Sequence, residues 1–177
     1  MKKVLILVDD TYEELELWYP KMRLQEEGIG ALIAGPKSNH TYIGKHGYPC
    51  HSDMELEEPQ AQDFDALLIP GGYAPDRLRR YHKVLELVRD FHQQKKCISF
   101  ICHGGWVLIS AKILKGKKVT SFSAIKDDME NAGAIWIDQE VVIDHNLVSA
   151  RTPEDLPAFV SAILQVIKKQ NSLLSSS

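Results

Sequence analysis

The sequence predicts an α/β protein, a three-layer α/β/α sandwich whose mostly parallel sheet is covered by helices on both faces. Apolar runs at Val4–Val8, Asp65–Ile69 and Cys97–Ile101 are typical of strands buried on both sides. Amphipathic helical patterns alternate with these runs, and glycine or proline separates them. Such alternation indicates right-handed crossovers between parallel strands.

The first elements form a β-α-β unit. After the Val4–Val8 strand, a helical pattern runs from Leu15 to Leu24 and ends at Gly28, and Ile29–Ala34 is the second strand. Thr41–Pro59 contains scattered glycines and polar residues, which predict a hairpin or an irregular excursion.

The second half continues the alternation. Helices are expected over Arg79–Lys96 and Trp106–Ile113, and a last helix begins near Pro153 and reaches Lys169. Further strands are expected near Val119–Phe122, Ala134–Ile137, Val141–Ile143 and Leu147–Ser149. We therefore predict one domain over residues 1–170 and a frayed tail over 171–177.

Composition limits the classes of partner. The chain has 177 residues, 44% of them hydrophobic, and a net charge of −3 without a dense Lys/Arg block. This balance argues against nucleic-acid or membrane-surface binding and favours a small or neutral partner. The apolar run after Met1 stops at Asp9, which is too early for a signal peptide, so we expect a soluble cytoplasmic protein.

The three cysteines, Cys50, Cys97 and Cys102, lack C-x-x-C spacing and are expected to be reduced thiols. His46 and His51 lie near Cys50, but no ligand pair with metal-site spacing accompanies them, so no metal is expected. No nucleotide-binding motif follows any strand, and no cofactor is expected.

Cys102 stands where the Cys97–Ile101 strand meets Gly104 and Gly105 and then an apolar helical run. This pattern predicts a strand–turn–helix elbow, at which helix N–H groups favour a thiolate. Only the downstream half of a nucleophile elbow is present, since Phe100 replaces the usual small residue. The alternative is a buried, inert thiol.

Three loops are expected to meet at the carboxyl ends of the strands, where ligands bind in such sheets: Asp9–Glu16, Pro70–Asp76 and Cys102–Gly105. Around these loops the chain resembles the PfpI intracellular cysteine peptidase family of the ThiJ/PfpI superfamily, which is related to class I glutamine amidotransferases. The motifs that carry the resemblance include Glu13–Pro20, Gly44–Gly47, Pro70–Asp76, Ile101–Gly104 and Ser149–Leu156. The resemblance covers nearly all of residues 3–169 and implies a flavodoxin-like sheet.

The resemblance implies that Cys102 is the nucleophile, His103 its neighbouring base and Glu16 a carboxylate near the sulfur. Backbone N–H groups of Gly72 and His103 would form the oxyanion hole. In peptidase-like members a further acid comes from an adjacent subunit, and Asp76 occupies the matching position, where glutamate is more frequent. A homo-oligomer, dimer or hexamer, is therefore expected.

The residues themselves leave alternatives open. An ionised Glu16 would raise the pKa of Cys102, so it assists only if it holds its proton, and it is otherwise a helix-surface charge. Adjacency does not direct His103 toward the sulfur, and its other role is a subunit contact. Glu13 either lines the pocket or stabilises the helix dipole. Phe122 stands where some members have tyrosine and makes the pocket more apolar.

Two classes of function follow. The first is a PfpI-type cysteine hydrolase that acts on peptides or small acyl compounds, with a glyoxalase III-like or deglycase activity on methylglyoxal and glycated groups as the alternative reaction. The second is a non-enzymatic redox sensor or stress-response protein based on oxidation of Cys102.

Overall fold

The computed structural model describes the backbone of residues 1–174 and the side chains of residues 1–170. Of the predicted tail, residues 171–174 belong to the last helix instead of fraying, and residues 175–177 lie outside the described residues. The helices are α1 (Glu14–Glu26), α2 (Ala74–Leu78), α3 (His82–Gln93), α4 (Gly105–Ala111), α5 (Lys126–Asn131) and α6 (Leu156–Leu174). The last helix thus runs five residues past its predicted end at Lys169.

Seven strands form the main sheet: β1 (Lys3–Leu7), β2 (Gly30–Gly35), β5 (Met54–Glu55), β6 (Ala66–Ile69), β7 (Cys97–Ile101), β10 (Val141–Asp144) and β11 (Leu147–Ala150). Their order in the sheet is β10-β11-β7-β6-β1-β2-β5. All neighbours pair in parallel except β10 with β11. The predicted parallel sheet with helices on both faces is confirmed.

The remaining strands form two small pairs. β3 (Thr41–Ile43) and β4 (Pro49–His51) make an antiparallel hairpin, as predicted for this segment. β8 (Lys118–Val119) and β9 (Ile135–Trp136) pair with each other in parallel, outside the main sheet. Both strands are shorter than the predicted Val119–Phe122 and Ala134–Ile137, because only two residue pairs form between them.

The core lies between the sheet and its helices. β1 and β6 are apolar and almost completely buried, and Leu17 and Leu24 of α1 and Val84, Leu87 and Phe91 of α3 pack against the sheet. From β1 the chain adds β2 and then β5 on one side, and it afterwards returns to add β6 and β7 on the other side of β1. The direction in which strands are added therefore reverses between β1 and β6. A crevice forms at such a reversal, at the carboxyl ends of the strands.

Candidate active site

The loops after β1, β6 and β7 meet at this crevice and enclose a cavity of about 240 Å³. Its lining residues come from six segments of the chain: Glu13, Glu16, Lys45, Gly72, Tyr73, Cys102, His103, Phe122, Thr152 and Pro153. The three predicted loops therefore do converge, and all the predicted site residues except Asp76 line one cavity.

Cys102 stands on a strained elbow. It adopts a left-handed backbone with φ +60°, directly after β7, and a single 3₁₀ turn over Cys102–Gly104 leads into α4. Gly104 permits the tight turn, because a Cβ there would meet the carbonyl oxygen of Ile69 at 2.7 Å. Phe100, which the elbow pattern disfavoured, remains within β7 and is fully buried. The half-buried thiol thus projects from the end of the strand into the cavity.

His103 does face the sulfur. Its Nδ1 lies 3.1 Å from Cys102 Sγ, and its ring packs against Trp106 and Phe122 with both centroid distances at 5.1 Å. Burial, followed by the nearby Lys45 charge, lowers the pKa of His103. The neutral imidazole can therefore accept a proton from the thiol through Nδ1 when Nε2 carries the hydrogen.

The Gly71–Gly72 turn is held by the loop after β1. Glu13 N–H donates to the Gly71 carbonyl (3.2 Å) and Tyr73 N–H to the Thr11 carbonyl (2.9 Å). Gly72 has φ +75°, and a Cβ on it would collide with the backbone of that loop. The backbone N–H groups of Gly72 and His103 lower the pKa of the Cys102 thiol, and they are the two predicted donors of the oxyanion hole.

Glu16 is fully buried beneath this turn. Its Oε2 accepts a hydrogen bond from Gly71 N–H at 2.6 Å, whereas Oε1 has no hydrogen-bond partner within the described part of the chain. Burial raises the pKa of Glu16 to about 8. The carboxyl group therefore holds its proton at neutral pH and can donate it in a hydrogen bond to the adjacent sulfur. The helix-surface alternative for Glu16 is wrong, because none of the residue is exposed.

Burial also raises the pKa of the Cys102 thiol, to about 12, with a second contribution from negative charge on Glu16. The backbone N–H groups and the positive charge of Lys45 act in the opposite direction. Helix N–H groups alone predicted a thiolate, but the sequence did not reveal how strongly the cavity desolvates the sulfur. Ionisation of Cys102 thus depends on Glu16 remaining neutral and on His103 taking the proton.

Lys45 lines the cavity and is the charged lining residue to which the sequence analysis gave no role. Its Nζ forms an ion pair with Glu13 Oε2 at 2.6 Å, and its charge lowers the pKa values of Glu16, His103 and Cys102. Lys45 lies in the Gly44–Gly47 turn, which leads back to the site because Lys45 N–H donates to the Tyr12 carbonyl at 2.9 Å. A lysine between two turn-forming glycines was the available signal.

The remaining walls are mixed. Glu13 caps α1 through the Leu15 N–H and also faces the cavity, so both roles considered for it apply. Phe122 lines the cavity beside His103, and its N–H donates to the Cys102 carbonyl at 3.2 Å. Tyr73, Thr152 and Pro153 complete the lining and were not predicted as site residues.

Comparison with known proteins shows the family of this chain. The model of the DJ-1/PfpI family matches residues 2–166. The chain belongs to the DJ-1/PfpI family. "Deglycase PfpI" of Pyrococcus furiosus is 45% identical over 166 residues, which are 94% of this chain and 99% of that protein. "Putative cysteine protease YraA" of Bacillus subtilis is 41% identical over 167 residues, again 94% and 99% of the two chains.

A solved structure of a two-domain protein from Anabaena variabilis, with DJ-1/ThiJ/PfpI-like and ferritin-like domains, superposes with a TM-score of 0.92 at 40% identity. The match covers 93% of this chain and 48% of that one, so this chain spans about half of the two-domain protein. The resemblance predicted from the motifs, and the DJ-1/PfpI fold, are thereby confirmed.

Asp76 is placed differently from the other predicted DJ-1/PfpI site residues. It lies on α2, its side chain is 60% exposed, and it pairs with Arg80 at 3.2 Å. It does not line the cavity of its own chain. Its predicted role therefore needs the Cys102 cavity of a neighbouring subunit.

One group of described residues has spacing suited to a cation: Glu13, Glu14 and His46 place ligand atoms within 4.8 Å of one another. Glu13 is already paired with Lys45, and Glu14 accepts hydrogen bonds from His46 N–H and the His46 ring. These oxygens thus have partners without a metal. Among the described helices, none is both long and apolar enough to cross a membrane.

Proposed function

We propose that this protein is a PfpI-type cysteine hydrolase with Cys102 as the nucleophile. The observation that supports it most is the set of groups around Cys102 Sγ. His103 Nδ1 lies 3.1 Å from the sulfur, and the backbone N–H groups of Gly72 and His103 lower the pKa of the thiol. Glu16 is buried next to this group, and its raised pKa lets it hold a proton that it can donate to the sulfur. A nucleophile, a base and oxyanion donors in one cavity are the requirements for acyl transfer.

In the proposed reaction His103 Nδ1 takes the thiol proton, and the sulfur forms a C–S bond with the substrate carbonyl carbon. The C=O π pair moves to oxygen, where N–H groups of Gly72 and His103 stabilise the oxyanion. For an amide, the tetrahedral adduct collapses, the C–N bond breaks, and the leaving amine receives the proton from His103. Water then hydrolyses the thioester and regenerates the thiol.

The size of the cavity favours small carbonyl substrates within this class. About 240 Å³ accommodates a small carbonyl compound or one glycated side chain more readily than an extended peptide. The deglycase name of the Pyrococcus furiosus relative supports the same alternative. With methylglyoxal, addition to the aldehyde gives a hemithioacetal. Transfer of its C–H hydrogen to the neighbouring ketone carbon, as a proton through an enediol, yields the thioester that water converts to lactate.

We extend the proposal to assembly and location. Exposed Asp76 supports a homo-oligomer in which it reaches a neighbour's Cys102. Three free cysteines among the described residues fit the reducing cytoplasm. The net charge of −3 gives no support to nucleic-acid binding.

The test compares wild type, Cys102→Ala and Cys50→Ala on methylglyoxal, a glycated amino acid and a fluorogenic peptide, with a chelator present throughout. Cys50 is a buried thiol outside the cavity and serves as the matched control. We expect Cys102→Ala to lose at least about a hundredfold in activity and Cys50→Ala to retain it.

The substrate arms separate the two hydrolase alternatives. Cys102-dependent lactate or amine release without peptide cleavage assigns the carbonyl reaction, and Cys102-dependent peptide cleavage assigns the peptidase reaction. No Cys102-dependent turnover in any arm would overturn the hydrolase, and selective sulfinate formation at Cys102 at low peroxide would then support the redox role.

A further inference from the structure

A larger cavity opens at the end of the sheet opposite to Cys102, beside the amino-terminal end of β7. It has a volume of about 630 Å³ and lies between the end of α3, the β10–β11 turn and the later part of α6. Lys95 lies before β7, whereas Cys102 follows that strand of five residues. Such a strand spans roughly 17 Å, so this second cavity is separate from the candidate active site.

Positive charge is concentrated around this cavity. Lys95, Lys117 and Lys169 line it, and no Asp or Glu occurs among its described lining residues. The nearby Asp144 carboxylate is already engaged by Lys118 N–H at 2.7 Å and His145 Nδ1 at 2.6 Å. In a chain with net charge −3, this grouping is a local excess of cations.

The wall also combines an apolar surface with an unpartnered polar atom. Ile143 on the edge strand β10 is 44% exposed, and Val166 of α6 faces the same cavity. His92 Nδ1 is buried and has no hydrogen-bond partner within the described part of the chain. Because this nitrogen has almost no accessible surface, the apolar residues and the lysines are the groups that a ligand in the cavity would contact.

We propose that this cavity binds a small organic anion. Its apolar body lies against Ile143 and Val166, and its anionic group pairs with Lys95 and Lys117 beside His92. The volume is in the range of cavities that hold small molecules, and mostly apolar walls with a few convergent polar groups are their usual composition. Carboxylates, sulfonates and phosphates share the charge that the lysines recognise.

The test titrates the full chain with 1-anilinonaphthalene-8-sulfonate, followed by fluorescence and by ¹H–¹⁵N NMR. Two further probes separate the parts of the ligand: N-phenyl-1-naphthylamine lacks the sulfonate, and inorganic sulfate lacks the apolar body. We expect saturable binding of the sulfonate dye, at least about tenfold weaker binding of the other two, and shifts at the Asn146 and Gln170 side-chain amides.

Charge reversal then locates the site. Lys95→Glu and Lys117→Glu should each weaken dye binding at least about tenfold, whereas Lys37→Glu, an equal charge change on an exposed residue outside both cavities, should not. Circular dichroism and Cys102-dependent turnover should remain unchanged in all three variants. Absence of saturable binding, equal affinity for all three probes, or binding unaffected by either reversal would each overturn the proposal.

Discussion

The protonation state of Glu16 follows from its burial. None of the residue is exposed, only Oε2 has a backbone donor, and burial raises its pKa to about 8. An ionised carboxylate in this position would repel a Cys102 thiolate, whereas the neutral acid can donate to it. The same burial makes Glu16 a measurable contributor to the pH dependence of folding.

We predict that the stability of the wild type falls, relative to Glu16→Gln, as pH rises from 4.5 to about 8. Over this range the unfolded chain has released the Glu16 proton while the folded chain retains it, so rising pH favours the unfolded state. The slope is at most about 1.4 kcal/mol per pH unit for one proton. Urea unfolding at several pH values measures it.

The surface variant Glu130→Gln, an exposed acid on α5, should show the same pH dependence as wild type. Because the lowered pKa of His103 affects wild type and Glu16→Gln alike, their difference isolates Glu16. Parallel stability curves for wild type and Glu16→Gln would show that Glu16 is ionised in the folded protein.

Lys45 provides the nearby positive charge that favours the thiolate. We predict that Lys45→Met, which keeps the aliphatic stem, slows alkylation of Cys102 by iodoacetamide at pH 7.5 about three- to tenfold, because the thiol pKa rises. The pH profile of alkylation should shift upward. An unshifted profile, or an equal shift in the exposed-lysine control Lys37→Met, would contradict this role.

At the scale of the elements, the elbow between β7 and α4 combines strain with function. Cys102 has φ +60°, a conformation that costs a non-glycine residue about 1–2 kcal/mol. The turn nevertheless places the sulfur near His103 Nδ1 and the backbone donors at the end of the sheet. A residue without a Cβ would relieve the strain and lose the nucleophile.

We therefore predict that Cys102→Gly is more stable than Cys102→Ala by about 1 kcal/mol, although both are inactive. Thermal and urea unfolding measure the difference. Lys112, with φ +61° after α4, offers a matched site without a catalytic side chain, and Lys112→Gly should exceed Lys112→Ala by a similar amount. A more stable Cys102→Ala would show that the elbow is unstrained.

At the scale of the whole molecule, the order of strands in the sheet brings the cavity-lining loops together, whereas Asp76 lies outside the cavity of its own chain. β1, β6 and β7 are neighbours, so their loops meet, but α2 directs Asp76 toward Arg80 and solvent. An acid that acts on Cys102 from this position must act on a second copy of the chain. The proposed role of Asp76 therefore makes full activity depend on assembly.

We predict that Asp76→Asn lowers turnover about tenfold or more in an oligomer, while Asp90→Asn, an exposed acid on α3, does not. Subunits of Cys102→Ala mixed and reassembled with Asp76→Asn should regain activity, because an intact Cys102 then meets an intact Asp76 from its neighbour. Light scattering checks the assembly. A fully active monomer, or no complementation in mixed oligomers, would remove Asp76 from the site.

The sequence alone determined the order of the longer strands and helices, because apolar runs and helical periodicity are local properties. The bounds of the short helices α2 and α5 were not predicted. It also placed Cys102 and Gly72 on loops that meet the start of α1, where Glu16 lies, since the carboxyl ends of parallel strands are at the same end of the sheet. The sequence predicted the first and last residues of β8 and β9 less well, because these strands end where pairing with a distant part of the chain ends.

Only the tertiary structure decided the chemistry of the site. It determined that Glu16 is fully buried and has a raised pKa, that the ring of His103 faces the sulfur, and that Lys45 returns to the cavity from a distant turn. Burial, side-chain direction and the meeting of remote segments depend on packing across the whole chain. A pKa follows from that packing, and no local sequence pattern specifies it.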